Sequence, residues 1–281
     1  MNLDTVSFTV TAPGASPGTA MAAVAGDTAV VRNSRKDALV LCLAMWVKAQ
    51  GAGITTMVWP SGHDLVRGVR QVNVANQISQ KVPWGSAYRF RAQDPITMTQ
   101  IGSAVAGDVE LAHLLMYYED LPGVDAHMIN LAMLRSRGVA SLTVQDTITP
   151  TAASAYSGPR FLNAGSDLLK ADTEYAVLGG TVQVDCGALT LRGVDTGNLR
   201  VSIPGESGDE NWNNNFFVHL SEIHDLNCIP VINSANRGGI IVEVVQDENT
   251  AAVPFHLNLV ELNRPFQADM AHALQNRLPA S

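Results

Sequence analysis

The chain has 281 residues, and with 46% apolar and 16% charged residues it is too hydrophobic and too weakly charged to be disordered. That length suits one large domain or two of roughly 120–140 residues. A net charge of −8, from 26 acids against 18 bases spread along the chain, excludes long-range attraction to nucleic acid and predicts no sequence-specific nucleic-acid binding.

Strand patterns dominate from the start. Val6, Phe8 and Val10 alternate with Ser7 and Thr9, placing one face on a core. Arg32, Arg35 and Lys36 form the densest basic cluster and read as a solvated turn. The run Ala38 to Val47 is apolar on both faces. It is about half as long as a membrane helix requires, so it reads as a strand covered by its own core on one side and by another element or subunit on the other. Leu41, Leu43, Met45 and Trp46 are its candidate subunit or interdomain contacts. A short helix is expected over Asp64 to Gln77. A second is expected over Val124 to Arg137, where Val124, Met128, Leu131 and Leu134 share a face and Gly138 supplies a stop.

Further along, Val182, Val184 and Cys186 alternate with Gln183 and Asp185, then Leu199, Val201 and Ile203 repeat the pattern, as do Phe255, Leu257 and Leu259. Residues 204–215 form a polar stretch whose Trp212 and Asn213 are candidate residues of an exposed contact loop. After Pro265 a last helix is expected over Gln267 to Asn276. Gly/Pro turns at short intervals favour a sandwich or jelly roll over an α/β fold.

The two halves read as one β-domain written twice. Ser7-Phe8-Thr9-Val10 returns as Ser141-Leu142-Thr143-Val144, and Asp27-Thr28 as Asp172-Thr173. Cys42 precedes Pro60 by the same eighteen residues that separate Cys186 from Pro204. A gapless match then pairs Val47 with Leu191, Lys48 with Arg192 and Met57 with Val201. His113 and His256 recur on the closing strand of each half. The expected organisation is a first β-domain over 1–121, a helical linker over 122–138, a second β-domain over 139–262 and a C-terminal helix or tail over 263–281.

Catalytic patterns are missing. No nucleophile elbow, phosphate loop or His-Glu-x-x-His occurs, nor the His-x-His pair of metal-binding cupins. His219 and His224 flank Glu222 at a spacing that suits neither a strand nor a helix face, and His63-Asp64 has no identifiable nucleophile beside it. The acids Glu206, Asp209 and Glu210 depart from calcium-loop spacing. Cys42, Cys186 and Cys228 lack metal or redox spacing and read as buried apolar residues of a protein made in a reducing compartment. No secretory signal pattern opens the chain. The expectation is a non-enzyme with no cofactor and no metal site, built for assembly.

On these residues the duplicated pattern resembles the double jelly-roll major capsid proteins of tailless icosahedral viruses, the lineage that includes adenovirus hexon, and matches its compact bacteriophage members. The resemblance covers Thr5 to Leu262. It implies an all-β fold of two tandem eight-stranded jelly rolls with a linker helix and a C-terminal helix. It further implies a homotrimer with a pseudo-hexagonal outline, a capsid lattice of such trimers, and contacts with minor capsid or penton proteins. The virion would be the site of action, after synthesis in the host cytoplasm. An internal membrane could lie beneath the shell, where Arg264 and Arg277 would meet headgroups. Two other classes stay open. One is a double jelly-roll hydrolase of the amidase or glycosidase kind drawing on Asp185, Asp195, Glu206 or Asp209. The other is a tandem carbohydrate-binding or spike module using Trp84 or Trp212.

Overall fold

The computed structural model describes residues 1–263 except 15, 36, 63, 84–86, 104, 163–168, 209 and 248–250. The helix expected over 267–276 lies outside the described residues, as do His63, Trp84, Asp209, Arg264 and Arg277. Among the described residues the structure is mostly β, its antiparallel strands arranged in four sheets.

The first half contains β1 (Asn2–Pro13), β2 (Ser16–Ala20), β3 (Ala22–Ala23), β4 (Val40–Ala49), β5 (Gly53–Val58), β6 (Val69–Asn73), β7 (Gln77–Lys81), β8 (Tyr88–Phe90), β9 (Thr97–Gly102) and β10 (Ala106–Tyr118). The second contains β11 (Met128–Ile129), α1 (Leu131–Arg137), β12 (Gly138–Ile148), β13 (Arg160–Phe161), β14 (Glu174–Val182), β15 (Ala188–Arg192), β16 (Val201–Pro204), α2 (Glu210–Asn213), α3 (Phe216–His224), β17 (Ile229–Asn233), β18 (Ile241–Val245) and β19 (Val253–Leu262).

The sheets run β3-β1-β10-β4-β7, with β8 also on β4, and β2-β9-β5-β6 in the first half; β11-β17-β14-β19-β12 and β13-β18-β15-β16 in the second. With the short β3, β8 and β11 set aside, the described residues of each half form eight strands in the same arrangement. One sheet pairs its first, last, third and sixth strands, and the other its second, seventh, fourth and fifth.

That arrangement corrects the residue-level match between the halves. Cys42 sits inside β4, whereas Cys186 lies in the turn between β14 and β15, so the gapless match sets Val47 and Lys48 of β4 against Leu191 and Arg192 of β15, one strand out of step. Alternation with period two recurs in strands of both halves, so it cannot say which strand is which. The first-strand match of Ser7 to Val10 with Ser141 to Val144 stays on equivalent strands, as does His113 with His256.

Two helical expectations also change. Residues 64–77 hold a loop, β6 and the start of β7, because Val69, Gln71 and Asn73 pair with Met57, Thr55 and Gly53 in a hairpin. The linker helix begins only at Leu131. Met128 and Ile129 pair instead with β17, and the Asn130 side chain caps the Met133 amide at 2.9 Å. Gly138 closes that helix where the sequence places the stop.

β4 organises the first half. Every residue from Val40 to Ala49 is buried. Leu115 of β10 faces Ala44 and Met116 faces Cys42, which leaves Leu43 as an extra bulged residue. The bulge shifts the alternation. Val40, Cys42, Met45 and Val47 enter the first core with Phe8, Met57 and Leu114, whereas Leu41, Leu43, Ala44 and Trp46 point outward. Those outward residues, with Leu3, Leu115 and Tyr117, are continuous with the second half's core of Val177, Leu189, Val201, Phe216 and Leu257. Burying each of the leucines stabilises the fold by about 1.5–3 kcal/mol.

In the second half, α2 and α3 lie over the outer face of β14, an arrangement that needs Gly179. A Cβ there would come 2.1 Å from the Asn213 carbonyl oxygen. Gly179→Ala therefore lowers unfolding free energy by about 1–3 kcal/mol through this overlap. Gly158→Ala, where a Cβ meets nothing within 4 Å, changes it by less than about 0.5 kcal/mol. Urea denaturation of both variants checks the pair, and equal midpoints would refute this close packing.

Candidate functional site

The densest chemistry lies at the seam between the halves. Ser7 of β1, His113 of β10 and Trp46 of β4 are cross-strand neighbours in one row, all pointing outward and all fully buried. Trp46 stacks on His113 with ring centroids 5.4 Å apart, meets Phe216 of α3 edge-on at 6.0 Å, and donates its indole N–H to the Gly187 carbonyl at 2.8 Å. Gly187 is required at this contact, since a Cβ there would come 2.6 Å from His113 Nε2 and 2.7 Å from Leu111.

A hydrogen-bonded chain runs from this row into the second half. His113 Nδ1 and Ser7 Oγ are 2.8 Å apart, Ser7 Oγ and the Tyr156 hydroxyl 2.8 Å, and Tyr156 donates to Asp27 Oδ2 at 2.8 Å. Arg200 donates to Asp27 Oδ1 at 2.9 Å and lies 3.9 Å over the Tyr156 ring. Glu243 then joins Arg200 and Arg192, at 3.4 and 3.3 Å. The backbones meet as well: the Thr5 amide donates to the Arg200 carbonyl at 2.6 Å, and the Ser202 amide to Thr5 Oγ1 at 3.0 Å. At the far edge Lys48 pairs with Asp185 at 3.8 Å, and the Gln80 amide donates to Glu206 at 3.2 Å and to Asn213 at 3.4 Å.

Burial sets the electrostatics. It drives the His113 pKa down to about 3, so the ring is neutral, and its Nε2 has no hydrogen-bond partner among the described residues. It raises Asp27, against the pull of the Tyr156 hydroxyl and the Ser7 amide, and raises Tyr156 well above its usual value. Asp4, nearby and bonded to Arg32, is pushed up to about 6 by burial.

Ser7 and His113 stand at a nucleophile-to-base distance, and Asp27 is reached through Tyr156 on the serine side rather than through the imidazole. Both are fully buried, so no substrate reaches them in this arrangement. The bonds of these groups link the two halves.

The sequence-derived candidates fall as follows. Leu41, Leu43 and Trp46 face the second half, whereas the bulge turns Met45 into the first core. Trp212 and Asn213 belong to α2, not to an exposed loop. Trp212 is half-buried and stacks on His219 at 4.4 Å, and Asn213 is fully buried, because the helix pair is drawn onto β14. Asp185 accepts from the Ser207 amide and hydroxyl besides pairing with Lys48, and Asp195 from the Asn233 amide and the Asn236 side chain, so the two acids share no partner in these bonds. Cys42, Cys186 and Cys228 are buried free thiols raised by desolvation, Cys42 to about 12. Among the described residues no three His, Cys, Asp or Glu side chains gather to hold a metal, and no helix is long and apolar enough to cross a membrane.

A surface cleft of about 400 Å³ opens elsewhere, lined by Trp59, Ser61, Asp64, Tyr88 and Arg89. Its polar groups are engaged locally: the Trp59 indole donates to the Arg89 carbonyl, and Asp64 accepts from the Val66 and Arg67 amides, which hold its carboxyl below the usual range.

Sequence reasoning missed Tyr156, Arg200, Asp27 and Gly187 as a group. They are distant in the chain and carry no motif. The one available signal was His113, a polar residue inside the apolar strand 111–116.

No protein-family model and no curated protein sequence matches this chain. Among solved structures, the PBSX exported protein XepA aligns over 88% of this chain and 87% of its own at 7% identity and a TM-score of 0.23. AerE from Microcystis aeruginosa aligns over 90% and 98% at 8% identity and a TM-score of 0.19. Likeness at this level carries no argument about fold or function.

His113 gives a pH test with a definite sign. Folding keeps it neutral, while the unfolded chain protonates it near 6.5, so its contribution is complete above that pH and is lost as pH falls toward 3. Asp4, raised to about 6, and Glu110, raised to about 7, act oppositely and lose stabilisation as pH rises through those values. Comparing parent with His113→Gln isolates the histidine. The parent's advantage shrinks by up to about 1.4 kcal/mol per pH unit between roughly pH 6 and pH 4. Parallel stability curves from urea titrations at each pH would refute a buried neutral ring.

Proposed function

We propose that this chain is a major coat protein of a tailless icosahedral virion, folded as two tandem jelly rolls and assembled as a homotrimer of pseudo-hexagonal outline. The observation that carries the reading is the strand order. Each half pairs its first, last, third and sixth strands in one sheet and its second, seventh, fourth and fifth in the other. That is the order two interleaved Greek keys produce when they wind into an eight-stranded double sheet. Two such units in one chain, in the same order, supply six per trimer and hence a near-hexagonal tile.

The seam supports the reading as well. A coat subunit must hold its two sandwiches rigidly while tiles press on one another, and residues 1–118 meet 128–262 through an apolar face and a continuous polar chain. The remaining duties of a coat protein follow from this role: lattice contacts with its own copies, junctions with minor capsid or penton proteins, and, in shells that enclose one, proximity to a membrane.

The test is native mass by light scattering, with electron microscopy of the same sample. A trimer of hexagonal outline, or closed shells, is expected. A monomer that persists at every concentration would refute the reading.

A further inference from the structure

We propose that a groove on the first half binds an acidic polysaccharide, with Arg89 on a uronate carboxylate and Asp64 and Tyr88 on neighbouring hydroxyls. The groove is separate from the seam, and the proposal stands independently of the coat-protein reading.

The cleft of about 400 Å³ lined by Trp59, Asp64, Tyr88 and Arg89 adjoins a second of about 420 Å³, which shares Ser61 and Arg89 with it and adds Arg91. Each is within the size range of small-ligand sites, and together they suit a chain of rings. The local bonds given above use only part of this lining. Asp64 accepts the Val66 and Arg67 amides on Oδ1 alone, which leaves Oδ2 for another donor. Among the described residues neither the Tyr88 hydroxyl nor the exposed Arg89 guanidinium has a hydrogen-bond partner.

The pattern of ion pairs points to an anion. Arg32, Arg35, Arg137, Arg160, Arg192 and Arg200 each meet a carboxylate. Arg67, Arg70, Lys81, Arg89 and Arg91 meet none among the described residues, although the chain holds 26 acids against 18 bases. Arg70 and Lys81 turn instead to the main-chain carbonyls of Arg67 and Arg70. Arg67 and Arg70 flank Gly68 and Val69 of the first cleft, and Arg89 and Arg91 line the second. Cations left unpaired around a groove of an acidic protein concentrate an anionic ligand there.

The walls select which anion. Trp59 stacks on Phe90 at 4.5 Å, a Cβ on Gly62 would come 3.0 Å from its ring, and only 8% of the residue is exposed, so it offers no open face to a nucleic-acid base. Half-buried Val69, Ala87 and Tyr88 give an apolar wall for the C–H groups of a sugar ring. Asp64 repels a bare phosphate or sulfate, yet its free oxygen accepts from a hydroxyl. A ring that carries both an acid and hydroxyls uses Arg89, Asp64 and Tyr88 together.

Isothermal titration calorimetry of the full chain tests the site, with galacturonate, tetragalacturonate, glucose and inorganic sulfate as probes. Expected are binding of galacturonate, tighter binding of the tetramer, much weaker binding of glucose, and weakening by added salt. Arg89→Ala lowers affinity for the tetramer by about tenfold and Tyr88→Phe by about threefold. Both keep the parental thermal midpoint, because neither lost group bonds the rest of the protein. Asp64→Asn separates a sugar site from a simple anion site: asparagine keeps the oxygen that accepts the Val66 and Arg67 amides and removes the charge. A sugar site then loses about threefold in affinity for the tetramer. A simple anion site gains affinity instead. No uronate binding at millimolar concentration, sulfate held as tightly as galacturonate, a gain with Asp64→Asn, or displacement of the tetramer by a single-stranded oligonucleotide would each overturn the proposal.

Discussion

The outward face of β1, β10 and β4 cannot be left in water. Leu3, Leu41, Leu43, Trp46, Leu115 and Tyr117 all project from it, and the second half of the chain lies on them. Most other features follow from that cover. Gly187 must lack a side chain so that its turn can close over His113, and Trp46 must find an acceptor for its indole N–H, which the same turn supplies. Phe216 must reach the tryptophan, so α3 packs on β14, and Gly179 is what lets the helices approach.

The polar part of the seam plays a different role from the apolar part. Buried charges such as Asp27, Arg200 and Glu243 are costly to desolvate, and their mutual attraction offsets that cost only when every partner is in place. Such a network adds little net stability, yet any slip of one half against the other would strand a charge. The apolar face supplies the attraction, and the chain from His113 through Ser7, Tyr156 and Asp27 to Arg200 fixes the position at which it acts. For a molecule proposed to tile a shell, a single fixed angle between its sandwiches matters more than a few additional kcal/mol.

Much of the fold was legible because strand patterning is local. The two-faced apolar run at 38–47 announced a strand covered on both sides, and the alternations at 6–10 and 255–259 named the inward residues of β1 and β19. Patterning says that a face is buried but not by what. Hence Trp46 could be picked out while Gly187 and Phe216, far along the chain, could not. The bulge at Leu43 is invisible for a related reason: every residue around it is apolar, so a one-residue shift leaves the pattern unchanged, and nothing in it tells that Met45 turns into the first core while Trp46 faces outward. The Asn-rich segment before Phe216 has weak helix propensity, and α2 and α3 form through packing on β14 rather than local preference. The candidate site was the least legible part, since its polar members meet only once both halves have folded.

The central claim is that the two halves form one cooperative unit through this seam, and differential scanning calorimetry of the intact chain tests it most directly. The account predicts a single transition whose van't Hoff enthalpy equals the calorimetric enthalpy. Two separate transitions, each carrying about half the heat, would show that the sandwiches stand independently and would contradict it.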